Sequence, residues 1–503
     1  MSSQTFQAVN PVDGQPFGKE YSEGTHGEVT AAITALSASA AAFAALSLSD
    51  RANLLEKIAS ELEGARADLV KIAELETGIP QARLNGEVTR TMIQLQLFAA
   101  QVRTGAHLNA IIDLADADYK PAPRPDMRKM NLPIGPVAVF GASNFPFAFS
   151  TIGGDSASAL AAGCPVIVKA HPSHPGVCEL TFQTVQRALK SCGISGDVFA
   201  IVQGRNPEIT HWLALAEEIC AVGFTGSAGV GKLLVKLCNS RQIPIPIYAE
   251  MGSLNPVFVT AAAMTERGVS IAEMLFDSAV LGAGQFCTKP GLIFISEEHD
   301  PFVATIRSKM KSVGSQPLLN KGILDRYVES VKSLNQIDGV ESITGSVSVE
   351  GFIAQPTFFV TDYAHFKAHP EFAEEHFGPT TVIVKCNEQD FDEIITQSQG
   401  QLTATLHIGT AEPKADMLQK LTTIAGRVIL NGAPTGVSVT AAQSHGGPWP
   451  SSSTHTTSVG TDAVFRFMRP VTFQGFTDDL LPAALQQANP EIIERLVNGV
   501  RSI

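Results

Sequence analysis

The chain predicts an α/β fold of two domains, and three observations carry that expectation. Short apolar runs of four or five residues recur at 136–140, 165–169, 198–202, 221–224 and 245–249, with room for a helix in most of the intervals. The runs are nearly continuous in apolar residues, as strands covered on both faces must be. A second set of the same kind follows at 292–296, 380–385, 404–408 and 427–430. Parallel strands joined by right-handed helical crossovers satisfy this alternation. A chain of 503 residues is long enough to bury both cores.

The elements follow in order. After a short extended start, an Ala-rich helix is expected over 27–46. Ser49 and Asp50 can cap the next helix, where Leu54, Leu55, Ile58 and Leu62 recur at helical spacing. A third helix over 67–76 stops at Gly78-Ile79-Pro80, and a fourth spans 87–102 with Arg90 near its start. Gly141 closes the first strand of the sheet and a helix of small residues follows it. The segments 114–135 and 466–503 mix charges, prolines and apolar residues and fit neither domain. The first, with Lys120, Arg124 and the run from Met127 to Leu132, is expected to form a small β-element; the second, with Leu480, Leu481 and Leu485, a helix or arm on a partner subunit.

Composition excludes several functions. With 44% apolar and 17% charged residues the chain is globular. A net charge of −13 without a basic run disfavours nucleic acid and anionic membranes as partners. No stretch approaches the roughly 20 apolar residues that span a bilayer, and the first ten residues carry no signal-peptide pattern. Seven cysteines stand singly, with no Cys-x-x-Cys and no His/Cys cluster at zinc spacing. Reduced thiols in a cytoplasmic protein, and no metal, are expected. Six of the cysteines suit small buried hydrophobes.

The exception is Cys287, in Gly284-Gln285-Phe286-Cys287, after a turn-prone Gly282-Ala283-Gly284. A thiolate is a nucleophile that needs no metal. Glu250, 37 residues earlier in Glu250-Met251-Gly252-Ser253-Leu254-Asn255-Pro256, directly follows an apolar run. A carboxylate paired with a thiol suits a reaction that makes a thioester and then hydrolyses it.

Both segments resemble the catalytic motifs of the aldehyde dehydrogenase superfamily: Gly284-Gln285-Phe286-Cys287 its cysteine motif, Glu250-Met251-Gly252-Ser253 its glutamate motif. Ser143-Asn144-Phe145-Pro146, Lys169, Phe224-Thr225-Gly226-Ser227, Glu375-His376-Phe377-Gly378-Pro379 and Leu430-Asn431-Gly432 keep the family order. The resemblance covers nearly the whole chain. It implies two Rossmann-like domains and an oligomerisation element: 1–113, 136–250 and 441–465 for the cofactor, 251–440 for catalysis, 114–135 and 466–503 for bridging between subunits in a homodimer or homotetramer. It further implies that Cys287 attacks the aldehyde, that the Asn144 amide and the Cys287 N–H hold the oxyanion, and that Glu250 activates the hydrolytic water, with a pKa raised by an apolar pocket. Alone, Asn144 before Phe-Pro is more often a turn residue in a loop.

Gly226-Ser227-Ala228-Gly229-Val230-Gly231 lacks the usual dinucleotide spacing and serves as well for a helix cap as for a phosphate site. The family variant places phosphate on Ser227, the adenosine ribose on Lys169, and the nicotinamide ribose on Glu375 with Phe377 packed nearby. Lys169-Ala170-His171-Pro172 lacks the acid that many NAD-preferring members carry three residues after the lysine, and Arg205 follows Gly204. NADP is therefore the expected cofactor, with NAD possible. Arg469-Pro470-Val471, Gln474 and Leu480-Leu481-Pro482 are similar to the tail of 2,5-dioxovalerate (α-ketoglutaric semialdehyde) dehydrogenases; NADP-dependent long-chain fatty aldehyde enzymes share many of these features. A semialdehyde acid needs a cation, for which Arg90 is the candidate against a solvated helix face. His445, in an unusual His445-Gly446-Gly447-Pro448-Trp449-Pro450, suits either the active-site mouth or a structural role. Three alternatives remain: a CoA-acylating relative, against which Glu250 argues; a non-catalytic homologue, against which Cys287 and Glu250 argue; and a cysteine hydrolase without a nicotinamide site.

Overall fold

A computed structural model describes residues 4–296, 300–346 and 350–503. The strands Phe199–Val202, Val166–Lys169, Val137–Phe140, Ala221–Thr225 and Ile247–Glu250 lie side by side in that order, all parallel. Their side chains alternate between two cores. Val137, Val139, Val166 and Val168 face helices including Leu48–Gly64, Gln81–Arg103 and Pro175–Ser191, while Ala138, Phe140, Ile167 and Phe224 face helices including Ala228–Ser240. Burial on both faces explains why these strands read as continuous apolar runs. Chain order reverses between Val137–Phe140 and Ala221–Thr225, which opens a crevice beyond the carboxyl ends of the strands, where such sheets bind ligands.

The second sheet has seven strands: Glu341–Thr344, Thr357–Asp362, Thr380–Cys386, Leu292–Ser296, Val257–Val259, Gln401–His407 and Ala425–Leu430. All neighbours are parallel except the edge strand Glu341–Thr344. Three of these strands, Val257–Val259, Glu341–Thr344 and Thr357–Asp362, escape the sequence reading. A third sheet joins Met468–Gln474, Met127–Pro133, Ile111–Asp113, Arg495–Val497 and Val500–Ser502. It therefore unites the two segments that fit neither domain.

Several local expectations are corrected. Ser47, rather than Ser49, caps the second helix, accepting from the Asp50 N–H at 3.1 Å. The fourth helix begins at Gln81, so Arg90 sits at its middle. The tail forms no long helix: Pro482 follows one 3₁₀ turn, Asp478–Leu480, and precedes another, Ala483–Leu485. Leu481 and Leu485 are buried in the chain's own core, and of the three leucines only Leu480, 66% exposed, is left for a partner. Among the described residues one helix, His26–Ala44, is long and apolar enough by composition to cross a membrane, which the expectation of no such stretch did not anticipate. It packs Val29, Ile33 and Leu36 against the first sheet.

Candidate active site

Glu250 ends the last strand of the first sheet, at the mouth of the crevice. Cys287 follows the helix Ala261–Val280 and a turn in which Gly282, Ala283 and Gly284 all have positive φ, near 56°, 56° and 65°. Gly284 must be glycine for a second reason: a Cβ there would lie 2.0 Å from the Gly378 carbonyl. Asn255, fully buried, ties the two motifs together. Its amide donates to the carbonyls of Cys287 and Lys289 at 2.8 Å each, and its oxygen accepts from Ser253 and Thr403.

A returning segment completes the cluster. Met251 N–H donates to the Ser451 carbonyl at 2.8 Å and Ser453 N–H to the Ala249 carbonyl at 3.0 Å, so this stretch runs along the edge of the Glu250 strand. It delivers His445, whose Nε2 lies 3.5 Å from Cys287 Sγ and 2.9 Å from Glu250 Oε1. The ring orientation keeps the second contact from being a well-aligned hydrogen bond. Ser458 Oγ donates to Glu250 Oε2 at 2.9 Å, and the Ser458 N–H to the His445 carbonyl at 2.8 Å. One imidazole nitrogen is thus shared by the thiol and the carboxylate. His445 is 2% exposed, interior rather than at a mouth, whereas Cys287 keeps partial access to the crevice.

Electrostatics follow from this packing. Burial and the neighbouring Glu250 carboxylate push the Cys287 thiol well up. Burial also pushes Glu250 up, but His445, Ser458 and the Cys287 thiol outweigh it and hold the carboxyl below its ordinary value. The expectation of a raised Glu250 pKa is corrected: the pocket is dry, yet it supplies an imidazole and a hydroxyl. The resting pair is a protonated thiol beside a carboxylate.

The Asn144 amide nitrogen donates to the Gln285 carbonyl at 3.0 Å, two residues before the thiol. Its loop is held from several directions by side chains the sequence did not single out. Arg83 Nη2 donates to the Asn144 carbonyl at 2.7 Å, its guanidinium lying over the rings of Phe145 and Phe286. Glu87 Oε1 accepts the Phe147 and Ala148 N–H groups at 2.8 and 2.9 Å. The His174 ring bonds the Ala142 carbonyl at 3.1 Å. On the helix of Arg83 and Glu87, Arg90 lies 4.9 Å over the Phe149 ring, reaches the Val437 carbonyl through Nε at 3.4 Å, and buries Nη2 without a hydrogen-bond partner among the described residues. One turn on, Gln94 accepts the Gly460 N–H.

At the other end of the crevice Ser227 is the exposed N-cap of Ala228–Ser240, and its side chain caps nothing. Gly226 N–H donates to the Glu250 carbonyl at 3.1 Å, which sets this turn beside the carboxylate strand. Lys169 ends its strand and donates to the carbonyls of Ala170 and Gly204; burial lowers it to about 8. Arg205 lies 5.1 Å over the Phe6 ring and 3.5 Å from Glu23 Oε1. Glu375 rests its carboxylate on Gly252, where a Cβ would come within 2.1 Å of it. Phe377 packs against the main core. Behind them Lys289, also unremarked in the sequence, donates to the carbonyls of His376 and Thr380 at 2.9 and 2.6 Å.

Residues 1–472 match the aldehyde dehydrogenase family. The chain belongs to that family. It is 42% identical to α-ketoglutaric semialdehyde dehydrogenase 2 of Azospirillum brasilense, over 99% of this chain and 96% of that one. It is 40% identical to α-ketoglutaric semialdehyde dehydrogenase of Acinetobacter baylyi with the same coverage. Among solved structures it is similar to glyceraldehyde-3-phosphate dehydrogenase GapN of Methanocaldococcus jannaschii, complexed with NADP, with TM-score 0.80 and 20% identity over 94% of this chain and 99% of that one. Aldehyde dehydrogenase 21 of Physcomitrella patens, in complex with succinate, gives TM-score 0.79 and 19% identity over 94% and 95%.

The family is NAD(P)-dependent, and the crevice of this aldehyde dehydrogenase fits such a group. The Ser227 hydroxyl is uncommitted at a helix N-terminus. The carboxylate of Glu375 is brought over a glycine, and a lysine stands at the carboxyl end of a strand beside the crevice.

Proposed function

We propose that this enzyme oxidises α-ketoglutaric semialdehyde (2,5-dioxovalerate) to 2-oxoglutarate through a thioester on Cys287, with NADP as the preferred cofactor. The observation that carries the chemistry is the convergence of Cys287, His445 and Glu250 on one imidazole nitrogen. The substrate rests on the full-length likeness to two α-ketoglutaric semialdehyde dehydrogenases and on the unpaired Arg90 donor beside the thiol.

As Cys287 Sγ bonds the aldehyde carbon, the thiol proton passes to His445 Nε2. The carbonyl electron pair moves to oxygen, toward the second N–H of the Asn144 amide and the Cys287 N–H. Ser227, Lys169, Glu375 and Phe377 would hold a nicotinamide dinucleotide, which would supply the hydride acceptor needed to reach the thioester. Glu250 then takes a proton from the attacking water, the carbon–sulfur bond breaks, the leaving Cys287 sulfur recovers its proton from His445, and the acid leaves as Glu250 gives its proton to solvent. Arg90 binds the distal carboxylate.

Preference for NADP rests on Pro172, which removes a carboxylate from the ribose site, and on Arg205. Glu23 already neutralises Arg205, so a 2′-phosphate has to compete with it. The third sheet, with Val500–Ser502 exposed at its edge, suits pairing between subunits of a homodimer or homotetramer. The reading is tested with an aldehyde panel that includes 2,5-dioxovalerate, glutaraldehyde and long-chain alkanals, following NAD(P)H with each cofactor. Highest kcat/KM for 2,5-dioxovalerate with NADP is expected. Preference for long-chain alkanals would replace the substrate, and an active Cys287→Ala enzyme would end the mechanism.

A further inference from the structure

Nothing in the chain's spacing suggests a metal: 158 positions separate Cys287 from His445. The fold nevertheless gathers a thiol, an imidazole and a carboxylate whose donor atoms all lie within 4.8 Å of one another. Four-coordinate zinc, with bonds of about 2.0–2.3 Å, sets neighbouring ligand atoms roughly 3.2–3.8 Å apart. The Cys287–His445 separation of 3.5 Å already falls in that range, and the His445–Glu250 separation of 2.9 Å needs to open by only a few tenths of an ångström.

The three donors are also tethered independently. Ser458 fixes the second oxygen of Glu250, Thr457 Oγ1 accepts the His445 backbone N–H at 2.8 Å, and Asn255 holds the Cys287 backbone carbonyl. The Ser458 contact is an outer partner of the kind that orients a ligand and raises affinity, while the other two fix the backbone from which the ligands project. One thiolate, one imidazole and one carboxylate form a donor set suited to zinc, with a fourth position open toward the crevice through which Cys287 is accessible.

We infer that Glu250, Cys287 and His445 form a binding site for Zn²⁺, and that occupancy of this site holds the enzyme inactive. Binding releases the Cys287 proton to solvent and forms a zinc–sulfur bond. The thiolate and carboxylate together neutralise the ion, which removes the repulsion that Glu250 exerts on a free thiolate. Zinc binding stands on the geometry alone, whereas its inhibitory consequence rests on Cys287 acting as the nucleophile.

The test is a titration of the metal-free full-length enzyme with zinc chloride in thiol-free buffer. Binding is read by competition with a chromophoric chelator, and in parallel NAD(P)H formation and alkylation of Cys287 by iodoacetamide are followed. One high-affinity zinc per chain is expected, with activity and alkylation lost in proportion to occupancy. Cobalt should give a thiolate charge-transfer band that is absent in Cys287→Ser. His445→Gln should weaken zinc by more than 100-fold. Ser458→Ala should fall within the ~10–100-fold that loss of an outer partner costs. Unchanged affinity in folded Cys287→Ser and His445→Gln proteins, or no stoichiometric zinc at all, would overturn the site. Stoichiometric binding that leaves aldehyde oxidation intact would overturn the inhibition and count against Cys287 as nucleophile, while leaving the metal site in place.

Discussion

Replacement of Glu87 asks whether the oxyanion loop is set from outside. Glu87 Oε1 takes both the Phe147 and Ala148 N–H groups, and the residue is 4% exposed. Glu87→Ala strands two buried backbone donors at about 1–3 kcal/mol each unless the loop shifts to solvate them. The loop begins at Asn144, and an ångström of displacement costs on the order of 100-fold in rate. We expect kcat/KM to fall by about 100-fold, close to 2.7 kcal/mol of transition-state stabilisation. Cys287 should still react with iodoacetamide at nearly the wild-type rate, because the sulfur sits on another loop. Glu87→Gln keeps an oxygen for both donors and turns its amide toward the side where Oε2 has no partner. It loses the charge and buries an amide with no acceptor, about 1–3 kcal/mol of stability, but the loop keeps its oxygen partner, so the rate should fall less than tenfold. Steady-state NAD(P)H formation, thiol alkylation and thermal unfolding together make the assay. A folded Glu87→Ala enzyme within twofold of wild type would refute the argument that this carboxylate positions Asn144.

Other outcomes follow from the same geometry. Glu250→Gln should slow turnover while a single-turnover burst of NAD(P)H remains, because the carboxylate is assigned to hydrolysis; loss of the burst would move Glu250 to the first step. Arg90→Ala should raise KM for 2,5-dioxovalerate by roughly 10–100-fold, the worth of a charged hydrogen bond, and leave a neutral alkanal little changed; equal effects would remove its role. Glu23→Gln should lower the Kd for NADP several-fold, measured by fluorescence titration, and leave NAD nearly unaffected. His107 and His407 are fully buried, and a backbone hydrogen bond to Gln101 and Gly432 respectively only partly offsets the loss of solvent. Burial, with repulsion from Arg51 and Arg267 respectively, lowers them to about 3 and about 4. Their unfolded forms take up protons first as pH falls below about 6.5. Stability should therefore rise with pH between about 4 and 6.5, by about 1.4 kcal/mol per pH unit for each histidine. Urea unfolding of His107→Leu should show a shallower slope, and an unchanged slope would exclude that contribution.

The first sheet was legible because helices cover both its faces, which forces runs such as Val137–Phe140 and Val166–Lys169 to be apolar throughout. Val257–Val259 was not: three residues after a proline carry too little pattern, and this strand is defined by its neighbours Leu292–Ser296 and Gln401–His407. The tail misled for a related reason. Leu481 and Leu485 promised an apolar helical face, but Pro482 interrupts it and both leucines turn into the chain's own core. Glu250 and Cys287 stood out because unusual residue types occur in ordered motifs. Arg83, Glu87, Asn255, Lys289 and Ser458 are ordinary residues whose significance lies in partners 32 to 208 positions away.

His445 shows where residue type and environment part company. The sequence marked it as unusual and left it between a mouth and a structural role, and a dry pocket was expected to raise Glu250. The imidazole 2.9 Å from that carboxylate, the Ser458 hydroxyl and the thiol together reverse the sign and hold Glu250 below its ordinary value. The same nitrogen, 3.5 Å from the thiol, is a proton acceptor for a group that burial and Glu250 hold protonated. A carboxylate that stays ionised and a thiol that stays protonated would stall nucleophilic attack if they stood alone. The shared imidazole serves the two steps in turn: it receives the proton when sulfur attacks, and once protonated it holds Glu250 charged for the water that follows.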